Sequence, residues 1–251
     1  MSRIDKALTM VRQGQLLQLL GKSLRFLFKI PYSFFFATQI KNIENQSVEQ
    51  LIDFMYNKGF NLITPAQIQS EIRQLGEIVR ELKPKNILEI GTANGGSLFL
   101  FCKLADQPAK IISLDLPWGK FGGGYPLWKI PLYQSFVNEK QNLHLLRANS
   151  HLEESVDRIK KILGEEKLDF LFIDGDHTYE GVKRDFLMYS PLVRSGGIIA
   201  MHDITPHLSI DVGVDKFWQE IKGDYQNREI ISVPMEHWAG IGVIYNNSLY
   251  V

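Results

Sequence analysis

From Asn86 onward the chain alternates short apolar runs with helix-period segments, and this alternation constrains the fold more than any other feature. The runs are Asn86–Ile90, Lys110–Leu114, Leu143–Leu146, Leu168–Ile173 and Gly197–Met201, with helical segments around 97–105, 152–163 and 178–190 between most of them. A strand that is apolar on both faces has to be covered on both, and a parallel sheet flanked by helices provides that cover. Two further strand-like runs, Glu229–Val233 and Ile241–Tyr245, are joined by a short loop and predict an antiparallel pair at the end. The expected class is α/β: a doubly wound, mostly parallel seven-stranded sheet with an antiparallel last strand. Ligands of such sheets bind beyond the carboxyl ends of the strands. The residues just after each run are therefore the candidates for a site.

Upstream, Thr64-Pro65-Ala66-Gln67 reads as a helix start, with Thr64 as N-cap, Pro65 in the first turn and Gln67 closing a capping box. Ile68, Ile72, Leu75, Val79 and Leu82 then form one apolar stripe, ended by Pro84. Residues 1–60 read as a helical and irregular extension, and 61–251 as the main domain.

Lys plus Arg number 28 and Asp plus Glu 28, a balance that argues against a dedicated nucleic-acid binder. The balance is not local. Between Lys6 and Lys41 there is no Asp or Glu, while Lys6, Arg12, Lys22, Arg25, Lys29 and Lys41 lie among many Leu and Phe. Lys22, Arg25, Lys29 and Pro31 interrupt every window of about 20 residues that a membrane span needs. No clear small-residue cleavage site follows, so the segment does not read as a signal peptide. Two readings stay open: a helix packed on the domain or on a second subunit of a homo-oligomer, or a basic amphipathic segment resting on an anionic membrane surface, such as the inner face of a cell membrane. The single cysteine, Cys102, lies in the apolar run SLFLFCKLA and reads as a buried structural thiol. It forms no internal disulfide, which fits a cytoplasmic location.

After the first run comes Glu89-Ile90-Gly91-Thr92-Ala93-Asn94-Gly95-Gly96-Ser97, leading into a helix. Glycines let the backbone turn sharply and approach a ligand, and the helix start offers free N–H groups. The loop lacks both G-x-G-x-x-G and the Gly-Lys-Ser/Thr of a phosphate loop, so something other than a pyrophosphate is favoured. The second run ends in Asp115, 24 residues after Gly91, where a carboxylate suits a ribose diol. Asn149 and Ser150 follow the third run, where an adenine edge would lie. The fourth is followed by Asp174-Gly175-Asp176-His177 and the fifth by His202-Asp203. Neighbouring strand ends bring these together. Carboxylates with an imidazole suit a divalent cation, and a separate His suits a general base. Asp176 also reads as a cap for the helix beginning near Thr178.

These residues resemble the class I S-adenosylmethionine-dependent methyltransferases, nearest the subgroup of cephalosporin hydroxylase-like proteins and metal-dependent sugar O-methyltransferases. The likeness runs from about Ile68 to Tyr245 and rests on LEIGTANGGS (88–97), DLPWGKFGGGYPLWKIPLYQSF (115–136), FIDGDHTYEGVKRDF (172–186) and SGGIIAMHDI (195–204). The resemblance implies a Rossmann-like methyltransferase fold. It also implies that the loop carrying Glu89, Gly91, Thr92, Ala93, Asn94, Gly95 and Ser97 cradles S-adenosylmethionine, with Asp115 on its ribose and Asn149 and Ser150 near its adenine. It further implies a metal, Mg²⁺ by preference, held by Asp174, His202 and Asp203, and His177 as catalytic base. Two departures stand out: His202 replaces the first of two adjacent acids, and Asn149 stands where relatives often place Asp.

The activity so implied is methylation of an oxygen on a sugar or other small hydroxylated acceptor. The metal would lower the hydroxyl pKa and His177 would take the proton. The loop Pro117–Phe136 is expected to act as a lid, with Trp118, Tyr125, Trp128 and Tyr133 stacking on a sugar, covering the cofactor or packing the loop down. The rivals are a nicotinamide-dependent oxidoreductase, a metallohydrolase and a non-catalytic scaffold docked on membranes.

Overall fold

The structure, a computed structural model, describes residues 16–59, 61–232 and 238–247, with side chains from residue 28 onward. The expectations that fall on Lys6, Arg12 and Val233, and on the side chains of Lys22 and Arg25, lie outside the described residues.

Seven strands form one sheet in the order β3-β2-β1-β4-β5-β7-β6: β1 Asn86–Ile90, β2 Ala109–Asp115, β3 Gln141–Arg147, β4 Leu168–Ile173, β5 Val193–His202, β6 Gln226–Ile230 and β7 Ile241–Asn246. β1 to β5 pair in parallel, and β7 runs antiparallel to both β5 and β6. Outward from the centre the chain goes β1, β2, β3 on one side and β4, β5 on the other. The crevice where these two directions part, above β1 and β4, is where a doubly wound sheet binds its ligand.

Alternate residues of each strand enter opposite cores, as the period of two requires. Ile87, Phe170, Phe172, Ile198 and Ala200 face one core, while Leu88, Ile90, Leu171, Ile173, Ile199 and Met201 face the other. The first core is covered by α1 (Leu16–Lys41), α2 (Val48–Asn57), α3 (Gln69–Leu82), α4 (Gly96–Leu104) and the short α5 (Ile130–Gln134). The second is covered by α6 (Glu153–Leu163), α7 (Tyr179–Tyr189) and α8 (Val214–Ile221). In α4 every residue but Lys103 is buried, which suits a helix apolar on all sides. Its Phe101 meets Phe170 and Phe172 edge-on at 5.0 and 5.4 Å. Phe36 and Ile40 of α1 and Leu51, Ile52 and Met55 of α2 share this core with the sheet. No described helix is long and apolar enough to cross a membrane.

The third helix departs from expectation. It starts at Gln69 after Ile68, with no side-chain cap, and ends at Lys83 in the left-handed region. Thr64 instead donates to the Met55 carbonyl at 3.3 Å, and Gln67 reaches Asp174. The side chains that would have closed a capping box serve tertiary contacts. The sixth strand also begins earlier than expected, at Gln226.

Candidate cofactor and active site

The ends of β1 to β5 open on a single cavity of about 520 Å³, whose walls include Gly91, Ala93, Asp115, Asn149, Ser150, Asp174, His177, His202 and Asp203. The glycine-rich turn and the acid–imidazole cluster thus face one space.

On the first side, Gly91 has φ +90, and a Cβ there would lie 1.9 Å from the Asp174 carbonyl oxygen. Only glycine lets the turn cross the neighbouring strand end so closely. The Ala93 N–H donates to Asp115 Oδ2 at 3.0 Å, and the Gly124 N–H to Oδ1 at 2.9 Å. Asp115 therefore ties the glycine-rich turn to the following loop. Burial raises its pKa against the pull of the amides of Gly124, Ala93 and Thr92.

Glu89, Thr92 and Ser97 lie beneath this turn, buried. Thr92 Oγ1 donates to Glu89 Oε2 at 2.8 Å and sits 2.6 Å from Ser113 Oγ. Burial pushes Glu89 up to about 8, with the Ser97 and Thr92 hydroxyls opposing. Gly95, with φ +82, caps α4 against the Tyr133 ring. Asn94 turns away: its carbonyl and Oδ1 accept from the buried Lys129 Nζ at 3.2 and 3.1 Å, beside a second cavity. Of the expected cofactor residues, Gly91, Ala93, Asp115, Asn149 and Ser150 wall the cavity. Glu89, Thr92, Gly95 and Ser97 support its rim, and Asn94 faces elsewhere.

Asn149 Oδ1 accepts the His151 N–H at 2.9 Å, so its side chain shapes the loop after β3. The Ser150 carbonyl accepts from Tyr189 Oη at 2.6 Å. Below them, Asp185 of α7 is fully buried, 3.4 Å from His151 Nε2, and burial raises it to about 7.

On the other side, His177 Nδ1 lies 2.5 Å from Asp203 Oδ2, and its Nε2 lies 3.6 Å from Asp174 Oδ1. His202 Nδ1 sits between the two acids, 3.3 Å from Asp174 Oδ1 and 3.1 Å from Asp203 Oδ1. Gln67 Nε2 donates to Asp174 Oδ2 at 2.5 Å. Burial opposes the charge on His177, but the Asp203 hydrogen bond and the charges of Asp174, Asp203 and Asp176 outweigh it and raise His177 to about 9. Burial likewise works against Asp203, yet the His177 hydrogen bond and the His202 and His177 charges hold it below the ordinary carboxylate range. His202 is raised for a similar reason: Asp174 overcomes its burial. Asp203 has φ +66, a left-handed conformation that costs roughly 1–3 kcal/mol and persists only where neighbours hold it. The cap of α7 is Thr178, which accepts the Gly181 N–H and is braced by Asp176.

Among the described residues no three His, Cys, Asp or Glu are arranged to hold a metal ion. Asp174, His202 and Asp203, the residues expected to hold a metal, nonetheless lie side by side at the ends of β4 and β5. An imidazole stands where a second acid would have been, and it turns its ring nitrogen to both carboxylates, whose other oxygens already meet Gln67 and His177. The charges of Asp174 and Asp203 favour the protonated form of both imidazoles.

In the loop after β2, two of the four aromatic residues singled out pack the loop down. Tyr125 and Tyr133 are buried and pack edge to face at 4.9 Å, and Trp118 is 87% exposed. Neither Trp118, Tyr125, Trp128 nor Tyr133 walls the main cavity. Phe121 does, stacked on the His177 ring at 4.9 Å and 19°. Trp238 walls the cavity from the β6–β7 loop, which the buried Glu71 of α3 anchors by accepting the Ser232 and Gly240 N–H groups. The sequence gives Gln67 only a capping role and gives Phe121, Asp185 and Trp238 no role in the site, because packing between distant segments brings them there.

Residues 88–204 match a family model described as a methyltransferase domain. A caffeoyl-CoA O-methyltransferase of Medicago sativa is 24% identical over 172 residues, covering 67% of this chain and 64% of that protein. An uncharacterized protein of Sinorhizobium fredii is 25% identical over 171 residues, 67% of this chain and 18% of that one. The chain thus spans less than two thirds of the length of these curated relatives. Among solved structures, the O-methyltransferase TomG of Streptomyces achromogenes, in complex with SAM, shares the fold with a TM-score of 0.53 at 18% identity, over 82% of this chain and 92% of that one. The matched residues run from β1 to just past the end of β5 and include much of the cavity wall, so this part of the chain is similar to a methyltransferase domain and the fold is one that O-methyltransferases share.

Proposed function

We propose that the protein transfers the methyl group of S-adenosylmethionine to a hydroxyl oxygen of a small acceptor, a sugar or a catechol-like compound. One observation carries this reading: the glycine-lined turn with Asp115 and the His177–Asp203 pair wall the same cavity. The sulfonium methyl is already electrophilic. What remains is to align an acceptor oxygen in line with it and to remove the proton of that oxygen.

Asp203 accepts from His177 Nδ1, which leaves Nε2 as the basic nitrogen facing the cavity. As the O–C bond forms and the S–C bond breaks, the hydroxyl proton passes to Nε2. Phe121 holds the ring plane and, with Trp238, offers flat apolar surface to an acceptor ring. The resemblance implies a divalent ion, which Asp174, His202 and Asp203 would hold and which would lower the pKa of the acceptor hydroxyl; the step proposed here runs through His177 and Asp203.

The reading is tested by calorimetric titration with S-adenosylhomocysteine and with NAD, followed by assay of S-adenosylhomocysteine release over a panel of hydroxylated acceptors, with chelator and with Mg²⁺. Binding of the first ligand and turnover that survives chelation are expected. Binding of NAD alone would replace the reading with hydride transfer, and tight binding with no turnover on any acceptor would favour a non-catalytic role.

A further inference from the structure

The side of α1 turned from the core is itself apolar. Phe36 and Ile40 are fully buried, whereas Phe28, Phe34 and Phe35 are 67, 55 and 59% exposed. The exposed positions 28, 31, 34, 35, 38, 39 and 41 lie on one side of the helix and form a stripe along it. Three outward phenylalanines on one short surface are not what a helix facing only water presents.

The neighbouring surface has the same character. Lys29 of α1 joins Trp118, Trp128, Lys129 and Arg147 in walling a cavity of about 420 Å³, with no acidic residue among those described around it. Trp118 is 87% exposed, and Leu127, between two residues of that wall, is 66% exposed. The loop between β2 and α5 divides this cavity from the catalytic one. Gly119, Lys120 and Phe121 line the catalytic side, and Pro117, Trp118 and Gly122 the outer side.

Charge says what would cover this face. Six cations and no acid lie from Lys6 to Lys41, in a chain whose charges balance only in total. Two copies meeting through α1 would bring Lys29 and Lys41 of each together, with no acid in residues 6–41 of either to receive them. Lipid phosphates supply the missing charge, and the headgroup zone accepts aromatic rings. No described helix can cross a bilayer, so the helix would lie on it.

We propose that α1 and the outer side of the β2–α5 loop dock on an anionic lipid surface, with Phe28, Phe34, Phe35 and Trp118 entering the headgroup zone. Docking brings the bilayer to the same loop that walls the catalytic cavity. This inference does not depend on which acceptor is methylated.

The test is co-sedimentation of the full chain with vesicles of phosphatidylcholine alone or mixed with phosphatidylglycerol. Binding is expected to the mixed vesicles only, to fall in high salt, and to weaken about tenfold or more in the triple variant Phe28→Ser, Phe34→Ser, Phe35→Ser. Retained binding of S-adenosylhomocysteine shows that the variant is folded. A second measurement needs no α1 variant: brominated lipid in mixed vesicles should quench tryptophan emission, and Trp118→Phe should remove most of that quenching. Failure to bind mixed vesicles overturns the proposal. So does equal binding by the triple variant, or a vesicle-free dimer that the triple substitution dissociates, which would make a second copy the occupant.

Discussion

His177 presents a conflict that a pH profile resolves. A base acts in its neutral form, yet the acids around this imidazole raise its pKa to about 9. At pH 7 only about one molecule in a hundred of free enzyme then carries the working form. The expected kcat/KM climbs about tenfold per pH unit from 7 toward 9 and levels above. Asp203→Asn removes one source of the shift, so the midpoint should move toward the ordinary histidine value while the plateau falls. A flat profile across that range would exclude His177 as base. His177→Ala should lower kcat by about 10²–10⁴-fold with affinity for S-adenosylhomocysteine kept. Asp185 makes a different prediction. Its folded pKa is near 7 against an ordinary 3.8, so as pH rises from about 4 to 7 the unfolded chain ionises there while the folded chain holds its proton. The acid therefore costs stability increasingly across that window, up to about 4 kcal/mol. Denaturation at pH 5 and pH 8 should show Asp185→Asn gaining on the wild type at the higher pH.

At the scale of elements, the turn between β1 and α4 carries the strictest demand. Gly91→Ala would set a methyl carbon against the Asp174 carbonyl in a left-handed conformation. We expect a loss of roughly 2–4 kcal/mol together with loss of cofactor binding, read by urea unfolding and calorimetry. Phe101→Ala, in the middle of α4, should cost about 3–5 kcal/mol through the cavity it leaves against β4, with cofactor affinity nearly unchanged in the fraction that stays folded. The two variants separate the helix as a packing unit from the turn as a binding unit. The α3 boundary shows how a local signal is overridden. Thr64 and Gln67 have the right spacing for a capping box, but Gln67 serves better as the amide that meets Asp174 across 107 positions. A motif that reads as a start signal is in fact a strut of the site.

The molecule as a whole is a sheet with two covered faces and one open end, and its polar machinery is gathered at that end. Ligand linkage follows directly. S-adenosylhomocysteine at about 100 times its Kd adds about 2.7 kcal/mol, which for a chain of this length raises Tm by about 5–10 °C. NAD should leave Tm unchanged. The absence of a shift with the first ligand would count against the cavity as a cofactor site. Charge is likewise a property of the whole. The balanced totals hide a cationic end at α1 and acids gathered at the strand ends, and the proposed lipid contact depends on that separation.

What the amino-acid order determined by itself was the sheet, the place of the turn after β1 and the identity of the ionisable groups at the strand ends, because each follows from spacing between near neighbours in the chain. Apolar runs set strands, and Gly91 marks a turn no other residue fits. Which of those groups touch was decided only by tertiary structure. His177 meets Asp203 and His202 meets Asp174 across 26 and 28 positions, and Phe121 stacks on His177 from a loop with no periodic signal. Whether two acids and two imidazoles coordinate an ion or neutralise each other turns on distances of an ångström or less, and the order of residues along the chain does not encode those.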